Sequence, residues 1–287
     1  MLNLKADRLN CKREQLSVET KMVYSPLDTD VEPRTGVKRL RETGNIIEAQ
    51  LVTSPQQARL AYGMRYDAYR EYGFVGERPD GLFSDEYDTR PNYSTILVFR
   101  NGTPAATIRV ALFDPGHPDP VFHRTQAMEI FEAEIRAVVA AERRPGTAGS
   151  AIELGKLARA ADAANDVEVL FAAFRAAGYI GLHHDVDAVL NAVRAHHMPM
   201  YRRCGFRVLE RPRPYPGLTF QTGLMGLFRD QYAVAQHTVP FMAGMAAGDP
   251  THQALMAGEP ARLSVFSALE CLAARAAPLA MPAVAAS

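Results

Sequence analysis

The sequence predicts an α/β protein with a central mixed sheet flanked by helices. Residues 151–209 alternate between strand-like and helix-like patterns, in the order strand, helix, strand, helix, strand. Asn101-Gly102 separates two β-rich runs and is typical of a hairpin turn. Hairpin strands run antiparallel, whereas strands joined through a helix can run parallel, so we expect both pairings in the sheet.

The composition predicts one folded core with an extension at each end. With 287 residues and 47% hydrophobic content, the chain can bury a single large core with residues to spare. We divide it into a mobile N-terminal extension (1–45), a folded domain (46–228) and an Ala-rich helical C-terminal extension (229–287). The net charge is zero, so the sequence shows no footprint for nucleic acid.

Cysteine usage and hydropathy predict the compartment. Cys11, Cys204 and Cys271 are far apart and form no CxxC pair. This pattern favours a reducing compartment and argues against a disulfide framework or a zinc site. The chain has no apolar leader segment and no run near the ~20 apolar residues of a membrane span. We expect a cytoplasmic protein without a metal ion.

The first half of the chain contains two predicted helices and three predicted strands. Ser54 caps a helix that runs to about Tyr72. Thr125 caps an amphipathic helix that runs to about Glu142. The predicted strands of this half cover residues 46–52, 95–100 and 105–113.

The second half opens with an apolar strand at 151–158, which polar residues and a glycine interrupt. Asp166 caps the following helix, and Gly205 ends a short helix that carries Tyr201. The other predicted elements are strands at 186–193, 206–209 and 218–228 and helical pieces within 262–276. The apolar residues after 229 either line a tunnel or form ordinary core.

Glu153 interrupts the strand at 151–158, and two interpretations of it stay open. It is either a solvent-facing acid on an edge strand or a half-buried carboxylate in an active site. Gly155, two residues further on, is a bulge signal, and bulges re-aim groups beside active sites. Such a carboxylate can take a proton from an ammonium group, and the amides of a bulge can polarise a carbonyl.

Tyr201 precedes Gly205-Phe206 and also has two interpretations. It is either a packed helix aromatic with a hydrated hydroxyl or a phenol that donates a proton. The histidines nearby form two adjacent pairs, at 183–184 and 196–197, and adjacent pairs do not make a metal site.

Four charged residues form a further candidate site. Arg65 lies on the first predicted helix, Asp85 and Asp88 in the loop after it, and Arg109 on the third strand. Two cations and two anions can fix a zwitterionic substrate through paired hydrogen bonds. The alternative is a structural ion-pair cluster that pins the loop, and both interpretations can hold.

Taken together, these motifs resemble a branch of the N-acetyltransferase (GNAT) superfamily. The branch contains the acyl-homoserine-lactone synthases and the long-chain N-acyl amino acid synthases of the FeeM type. The specific part of the resemblance is the order arginine, Asp-x-x-Asp, arginine, glutamate. Lys156 replaces the usual arginine of the fourth-strand motif, and Gly155 a usual serine. The resemblance covers residues 46–228 and rests on the segments 64–69, 83–88, 106–109, 153–158 and 197–206.

The resemblance implies a fatty acyl group moved from acyl carrier protein to the α-amine of an amino acid. In this scheme Glu153 is the base and Tyr201 protonates the leaving thiolate. The resemblance implies no bound cofactor, and we expect peripheral membrane contact through the lipid product. The implied substrate-binding residues are Arg65, Tyr69, Asp85, Asp88, Arg109 and Lys156.

The expected donor follows from a loop that departs from the superfamily. Most coenzyme-A-dependent members of the GNAT superfamily hold pyrophosphate on a glycine-rich loop. In this chain, which resembles that superfamily, the corresponding segment reads Arg-Ala-Ala-Asp-Ala-Ala at 159–164. The central glycine is absent, and Asp162 would repel pyrophosphate. The phosphopantetheine thioester of acyl carrier protein is therefore the expected donor. Docking of that acidic protein is expected at Arg202, Arg203 and Arg207.

Three alternatives remain open. One is an acyl-homoserine-lactone (autoinducer) synthase that uses S-adenosylmethionine, and another is a non-catalytic module that binds an acyl group or carrier protein. The third and least favoured is a conventional coenzyme-A acetyltransferase. The chain has no tryptophan, which lactone synthases typically carry near their pockets, and it has extensions at both ends. Both departures favour the amino acid synthase.

Overall fold

The computed structural model describes residues 44–215 and 220–264, and nine strands in these ranges form one sheet. Their spatial order is β6-β8-β5-β4-β3-β2-β1-β9, with β7 also paired to β8. The predicted mixed sheet is confirmed, because β4 and β5 run parallel and all other pairs antiparallel. The strands are β1 Ile47–Leu51, β2 Tyr93–Arg100, β3 Thr103–Phe113, β4 Ala151–Arg159, β5 Ala188–Arg194, β6 Arg207–Val208, β7 Arg213–Pro214, β8 Gln221–Phe228 and β9 Ala261–Arg262.

Helices cover both faces of the sheet. Two pack on one face, α1 Pro55–Glu71 and α2 Met128–Glu142. The other face carries α3 Val167–His183, α4 Met198–Arg203, α5 Arg229–Thr238 and α6 Pro250–Met256. Since α3 is apolar around most of its circumference, it can pack on the sheet and on the C-terminal segments at once.

Local signals set most element boundaries as predicted. Asn101 and Gly102 have φ angles of 52° and 77°, the left-handed conformation that a two-residue hairpin needs. Ser54 and Gln57 form a capping box at the start of α1. The Asp166 carboxylate caps α3 by accepting from the amides of Glu168 and Val169.

The predicted cap of α2 is wrong. Thr125 lies in a turn, the helix begins at Met128, and its N-cap Ala127 makes no side-chain cap hydrogen bond. The Thr125 hydroxyl instead bonds to Glu153 on the sheet. A long-range partner has therefore displaced the local capping role.

The described C-terminal segments pack as core. Phe241 and Met245 are buried against α3, and Leu255 of α6 joins the same cluster. Arg262, predicted to begin a helix, lies instead in β9, which pairs with β1. The rest of that predicted helix and the predicted N-terminal extension up to residue 43 lie outside the described residues.

The parallel pair separates at one end, and this separation positions the site. Pairing between β4 and β5 ends at Leu154 and Asn191, although β4 continues to Arg159 and β5 to Arg194. We call this opening the splay and its paired end the apex. Among the described helices, none is long and apolar enough to cross a membrane.

Candidate active site

Glu153 lies on a central strand with its side chain almost fully enclosed. β4 is flanked by β3 and β5, and only 7% of Glu153 is exposed. The interpretation as a solvent-facing acid on an edge strand is therefore wrong. The carboxylate is also more deeply buried than the expected half-buried group.

The carboxyl group of Glu153 is held by the turn before α2. The Ala127 amide donates to Glu153 Oε2 at 2.9 Å, and the Thr125 hydroxyl forms a second hydrogen bond. Burial raises the pKa of Glu153 above its ordinary value, although these two bonds and the charge of Arg109 act against the increase. A carboxyl group with a raised pKa is suited to accept and return a proton near neutral pH.

The predicted bulge is present within β4. Thr107 pairs with Ala158 and Arg109 with Gly155, so β4 contains one residue more than β3 over this interval. Lys156 takes the extra position with a φ of 49°. Its ammonium group lies 3.1 Å from Asp85 Oδ2, because the bulge turns this side chain toward the loop after α1.

The four predicted charged residues meet as one group, which we call the ion-pair cluster together with Lys156. Arg65 Nη1 lies 2.7 Å from Asp88 Oδ1. Arg109 Nη1 lies 2.6 Å from Asp85 Oδ1 and 3.1 Å from Asp88 Oδ1. Each guanidinium therefore has at least one carboxylate partner, as the structural interpretation requires.

The ion-pair cluster has a sealed part and an open part. The side chains of Arg65, Asp88 and Arg109 are 0%, 1% and 2% exposed, whereas Asp85 and Lys156 are 23% and 13% exposed. Only the two open side chains, one of each charge, can meet a small zwitterion without rearrangement. The three sealed side chains, Arg65, Asp88 and Arg109, fix the loop after α1.

The pKa of Asp85 reflects its partners. Burial alone would raise it, but the hydrogen bond and charge of Arg109, with those of Lys156, outweigh burial and hold the pKa at about 2. Asp85 is therefore a carboxylate at neutral pH. An ammonium group beside it would gain a permanent counter-charge.

Tyr69 borders the open part of the ion-pair cluster. Its ring centre lies 4.9 Å from that of Phe83, and the Lys156 ammonium lies 4.1 Å from the same Phe83 ring. Burial raises the pKa of the Tyr69 phenol. The predicted substrate-binding residues thus lie in one region.

Tyr201 is buried on the other face of the sheet. Its ring packs against Phe174 and Phe206, and Asn191 Nδ2 donates to its hydroxyl at 2.9 Å. The interpretation with a hydrated hydroxyl is wrong, since the phenol is 6% exposed and bonded in the interior. Burial raises its pKa, so the phenol keeps its proton and can donate it.

Glu153 and Tyr201 approach the apex of the splay from opposite faces. Glu153 pairs with Leu190, and the next pair, Leu154 with Asn191, is the last before the strands separate. Side chains alternate along a strand, so Glu153 lies on the α2 face and Asn191, with its Tyr201 partner, on the α3 face. A group inserted at the apex would have one of them on each side.

Sequence reasoning missed the turn at 125–127 as part of the site. The Gln126 side chain accepts from Arg109 Nη2 and donates to Asp85 Oδ2 at 3.4 Å. The backbone carbonyl of Gln126 accepts from the Tyr215 hydroxyl at 2.9 Å. The turn therefore links Glu153 to the ion-pair cluster. The only sequence signal was a polar pair before an apolar run, which also resembles a helix cap.

Side chains of the protein already fill the N-terminus of α3. Asp166 caps the helix, and Arg100 bonds to Asp166 Oδ2 at 2.7 Å and to Asp162 Oδ2 at 2.9 Å. The amides and positive dipole that would attract a phosphate already have carboxylates as partners. In the described ranges, no group of three or more His, Cys, Asp or Glu side chains could hold a metal ion.

The predicted docking arginines lie on the surface of α4 and β6. Arg202 and Arg203 are exposed and border a groove of about 380 Å³ that Leu227 and Val239 also line. Arg207 lies 3.5 Å from Asp230. Arg202 and Arg203 thus offer the cationic part of this surface.

Comparisons with known proteins identify a matching family and a related fold. The family model for the N-acyl amino acid synthase FeeM matches residues 60–227. The solved structure of FeeM, an N-acyl amino acid synthase from uncultured soil microbes, shares 14% identity with a TM-score of 0.53. That alignment covers 70% of this chain and 99% of FeeM.

Two further solved structures match less closely. The acyl-homoserine-lactone synthase LasI shares 15% identity, with a TM-score of 0.46, over 64% of this chain and 89% of its own. A putative N-acetyltransferase from Lactobacillus plantarum shares 14%, with a TM-score of 0.41, over 64% and 99%. A search of curated proteins found no match.

The fold and the family model lead to the same conclusion. The sheet splayed between β4 and β5, with helices on both faces, is the GNAT-like architecture that the FeeM structure shares. The matched segment includes every predicted catalytic and substrate-binding residue. Since the family model spans more than half of the chain, the protein belongs to the FeeM family of N-acyl amino acid synthases and is an acyltransferase.

Proposed function

We propose that the protein transfers a long-chain fatty acyl group from an acyl carrier protein thioester to the α-amine of an amino acid. The observation that carries the proposal is the buried Glu153 beside two accessible charges of opposite sign. Asp85 suits the ammonium group of an amino acid and Lys156 suits its carboxylate. The turn at 125–127 connects these charges to Glu153.

The proposed reaction needs one base and one acid. Glu153 takes a proton from the ammonium group, and the free amine attacks the thioester carbonyl. The carbon–nitrogen bond forms, the carbon–sulfur bond breaks, and a second proton leaves the nitrogen as the amide forms. Tyr201 donates its phenolic proton to the departing thiolate and regains one from solvent. The net products are an amide, a thiol and one released proton.

Acyl carrier protein is the preferred donor for two reasons. First, Asp162, Asp166 and Arg100 occupy the start of α3, where a coenzyme A pyrophosphate would otherwise bind. Second, Arg202 and Arg203 lie exposed beside the groove on α4, where an acidic protein can dock. The carrier then delivers its acyl group on a phosphopantetheine arm.

The test is a reconstituted reaction with purified protein, acyl carrier protein loaded with a long-chain fatty acid, and a mixture of the common amino acids. Mass spectrometry should detect an acyl chain linked through an amide to one or a few amino acids. Glu153→Gln, with the same shape and no base, serves as the matched control and should give little product. S-adenosylmethionine is supplied in a parallel reaction.

Three outcomes would contradict the proposal in different parts. Acyl-homoserine lactone as the product would replace the acceptor by S-adenosylmethionine. Equal catalytic efficiency with acyl-coenzyme A would remove the preference for the carrier protein. Wild-type turnover by Glu153→Gln would show that Glu153 is not the base.

A further inference from the structure

The open end of the splay carries two arginines and a histidine that the proposed reaction does not use. Arg159 ends β4, Arg194 ends β5, and His197 follows Arg194 by three residues. We call these three residues the cationic mouth. The three residues lie near the outer limit of the opening. Arg159 is five strand residues beyond the apex on β4, which is about 16 Å along an extended strand.

In the described part of the chain, the Arg194 guanidinium is held without a carboxylate, whereas the Asp166 carboxylate acts on Arg159 and opposes the burial that lowers its pKa. The guanidinium carbon of Arg194 lies 4.2 Å from the ring centre of Phe74 and 4.7 Å from that of Phe220. Its enclosed Nε atom has no hydrogen-bond partner among the described residues. Arg159 Nη1 donates to the backbone carbonyl of Asp166 at 3.2 Å. Within the described ranges, neither guanidinium has a carboxylate in ion-pair distance.

Burial lowers the pKa values of all three residues of the cationic mouth. Desolvation lowers the pKa of His197 to about 4, and the neighbouring His196, Arg194 and Arg159 contribute to that decrease. The imidazole is therefore neutral at pH 7 and offers one N–H donor beside two permanent cations. Partly desolvated positive charge of this kind is stabilised by an anion.

We propose that the cationic mouth binds the phosphodiester group of the donor's phosphopantetheine arm. This inference rests on the proposed function, because it assigns a binding site to the donor. The arm has to enter between β4 and β5 from the open end for its thioester to reach Glu153 and Tyr201 at the apex. An extended pantetheine chain spans a distance similar to that between apex and mouth.

The chemistry favours a single phosphate over other anions. Two guanidinium forks and an imidazole N–H match the oxygens of one phosphate group, which accepts several charge-assisted hydrogen bonds. A nucleotide diphosphate would also need the start of α3, where Asp162 and Asp166 repel it. The carboxylate of the amino acid already has Lys156 at the other end of the splay.

Two small donors test the site without the carrier protein. Acyl-phosphopantetheine carries the phosphate, and acyl-pantetheine with the same acyl chain lacks it. Arg194→Met keeps a flexible apolar side chain against Phe74 and Phe220 but removes the charge. We expect the kcat/KM of this variant to fall about tenfold or more with acyl-phosphopantetheine, since charged hydrogen bonds are lost. With acyl-pantetheine it should stay within about twofold of wild type.

Two further variants sharpen the result. Arg194→Lys keeps the charge without the fork and should lie between wild type and Arg194→Met with the phosphate donor. Arg136→Met removes a surface arginine that pairs with Glu132 on α2, and it should leave both donors unaffected. A thermal unfolding curve of each variant checks that the fold is retained.

The outcomes separate this inference from the proposed function. An equal fall of Arg194→Met with both donors, or no fall with either, would overturn the phosphate site. If wild-type protein transfers from neither small donor and not from acyl carrier protein either, the proposed function fails, and calorimetry then tests the site alone. Phosphopantetheine should bind wild type more tightly than pantetheine does, and Arg194→Met should abolish the difference. Equal binding of the two compounds to wild type would overturn the inference.

Discussion

The ion-pair cluster and the cationic mouth each include one residue of β4, Lys156 and Arg159, but they balance their charges in opposite ways. In the ion-pair cluster, Arg65 and Arg109 contact Asp88 at 2.7 and 3.1 Å in a sealed interior. In the cationic mouth, Arg194 packs against two aromatic rings and Arg159 bonds to a carbonyl. Charges neutralised inside the protein hold the fold together, whereas charges without an internal counter-ion favour an external anion. Substitutions in the first should therefore act on stability and those in the second on binding.

The largest stability effect is expected from Asp88→Asn. This change leaves the buried guanidiniums of Arg65 and Arg109 with less than their full counter-charge, and it weakens the bond from the Asp85 amide. Removing one partner of a buried ion pair costs about 3–5 kcal/mol. Urea denaturation measures the loss as a shift of the unfolding midpoint.

Glu86→Gln is the matched control for this prediction. Glu86 lies two residues away, is 72% exposed and pairs with Arg90 at 2.6 Å. An exposed pair of this kind contributes at most about 1 kcal/mol. If Asp88→Asn destabilised the protein no more than Glu86→Gln, the sealed part of the ion-pair cluster would not be a structural element.

Glu153→Gln should separate catalysis from stability. Loss of a general base lowers kcat by about a hundredfold to ten-thousandfold. Wild-type kcat should rise with pH as Glu153 loses its proton, at a pH above the ordinary pKa of glutamic acid because burial raises its pKa. The variant should lose this rise, which a pH–rate profile from single-turnover reactions would reveal.

The pH dependence of stability at Glu153 has a defined sign. A raised pKa means that the folded state holds a proton which the unfolded chain releases first, so stability is fully present below the unfolded pKa. It is lost as the pH rises through the folded pKa. Glu153→Gln cannot ionise and should be relatively more stable at high pH, as melting curves across this pH range would measure. A wild type and variant with parallel curves would contradict the raised pKa.

Much of the fold and part of the site could be predicted because their signals are local. The Asn101-Gly102 turn and the Asp166 cap depend on neighbouring residues, and both are confirmed. The charged residues at 65, 85, 88 and 109 could be grouped through their order along the chain. The hydrogen bond from Ala127 to Glu153 could not be predicted, since a turn without a capping side chain leaves no pattern. The packing of Arg194 against Phe74 and Phe220 likewise depends on three distant segments.

Asp85→Asn tests the open part of the ion-pair cluster. Because its partners hold the pKa of Asp85 at about 2, ionised Asp85 stabilises the folded state above the unfolded pKa. The contribution, about 2 kcal/mol at neutral pH, is lost as the pH falls toward 2. Wild type and variant should therefore differ in unfolding free energy at pH 7 and converge in acid. A difference that persists unchanged at low pH would assign the effect to packing.

The same variant should raise the KM for the amino acid. Asp85 is the accessible carboxylate of the ion-pair cluster, and without its charge the ammonium group of the acceptor loses its counter-ion. Initial rates at saturating donor measure this KM. An unchanged KM beside a lower stability would restrict Asp85 to a structural role.

The smallest effect on stability is expected from Arg202→Glu and Arg203→Glu. Their effect on the KM should depend on the size of the donor. Both side chains are exposed, so stability should change by no more than about 0.5 kcal/mol. With acyl carrier protein the KM should rise, most strongly at low salt, because these charges steer an acidic partner over a distance that salt screens. With acyl-phosphopantetheine the KM should not change, since the small donor lacks the acidic protein surface that these charges would steer. A similar rise with both donors would mean that α4 and the mouth act as one electrostatic surface. A rise confined to the carrier protein would assign docking to α4 and phosphate binding to Arg194.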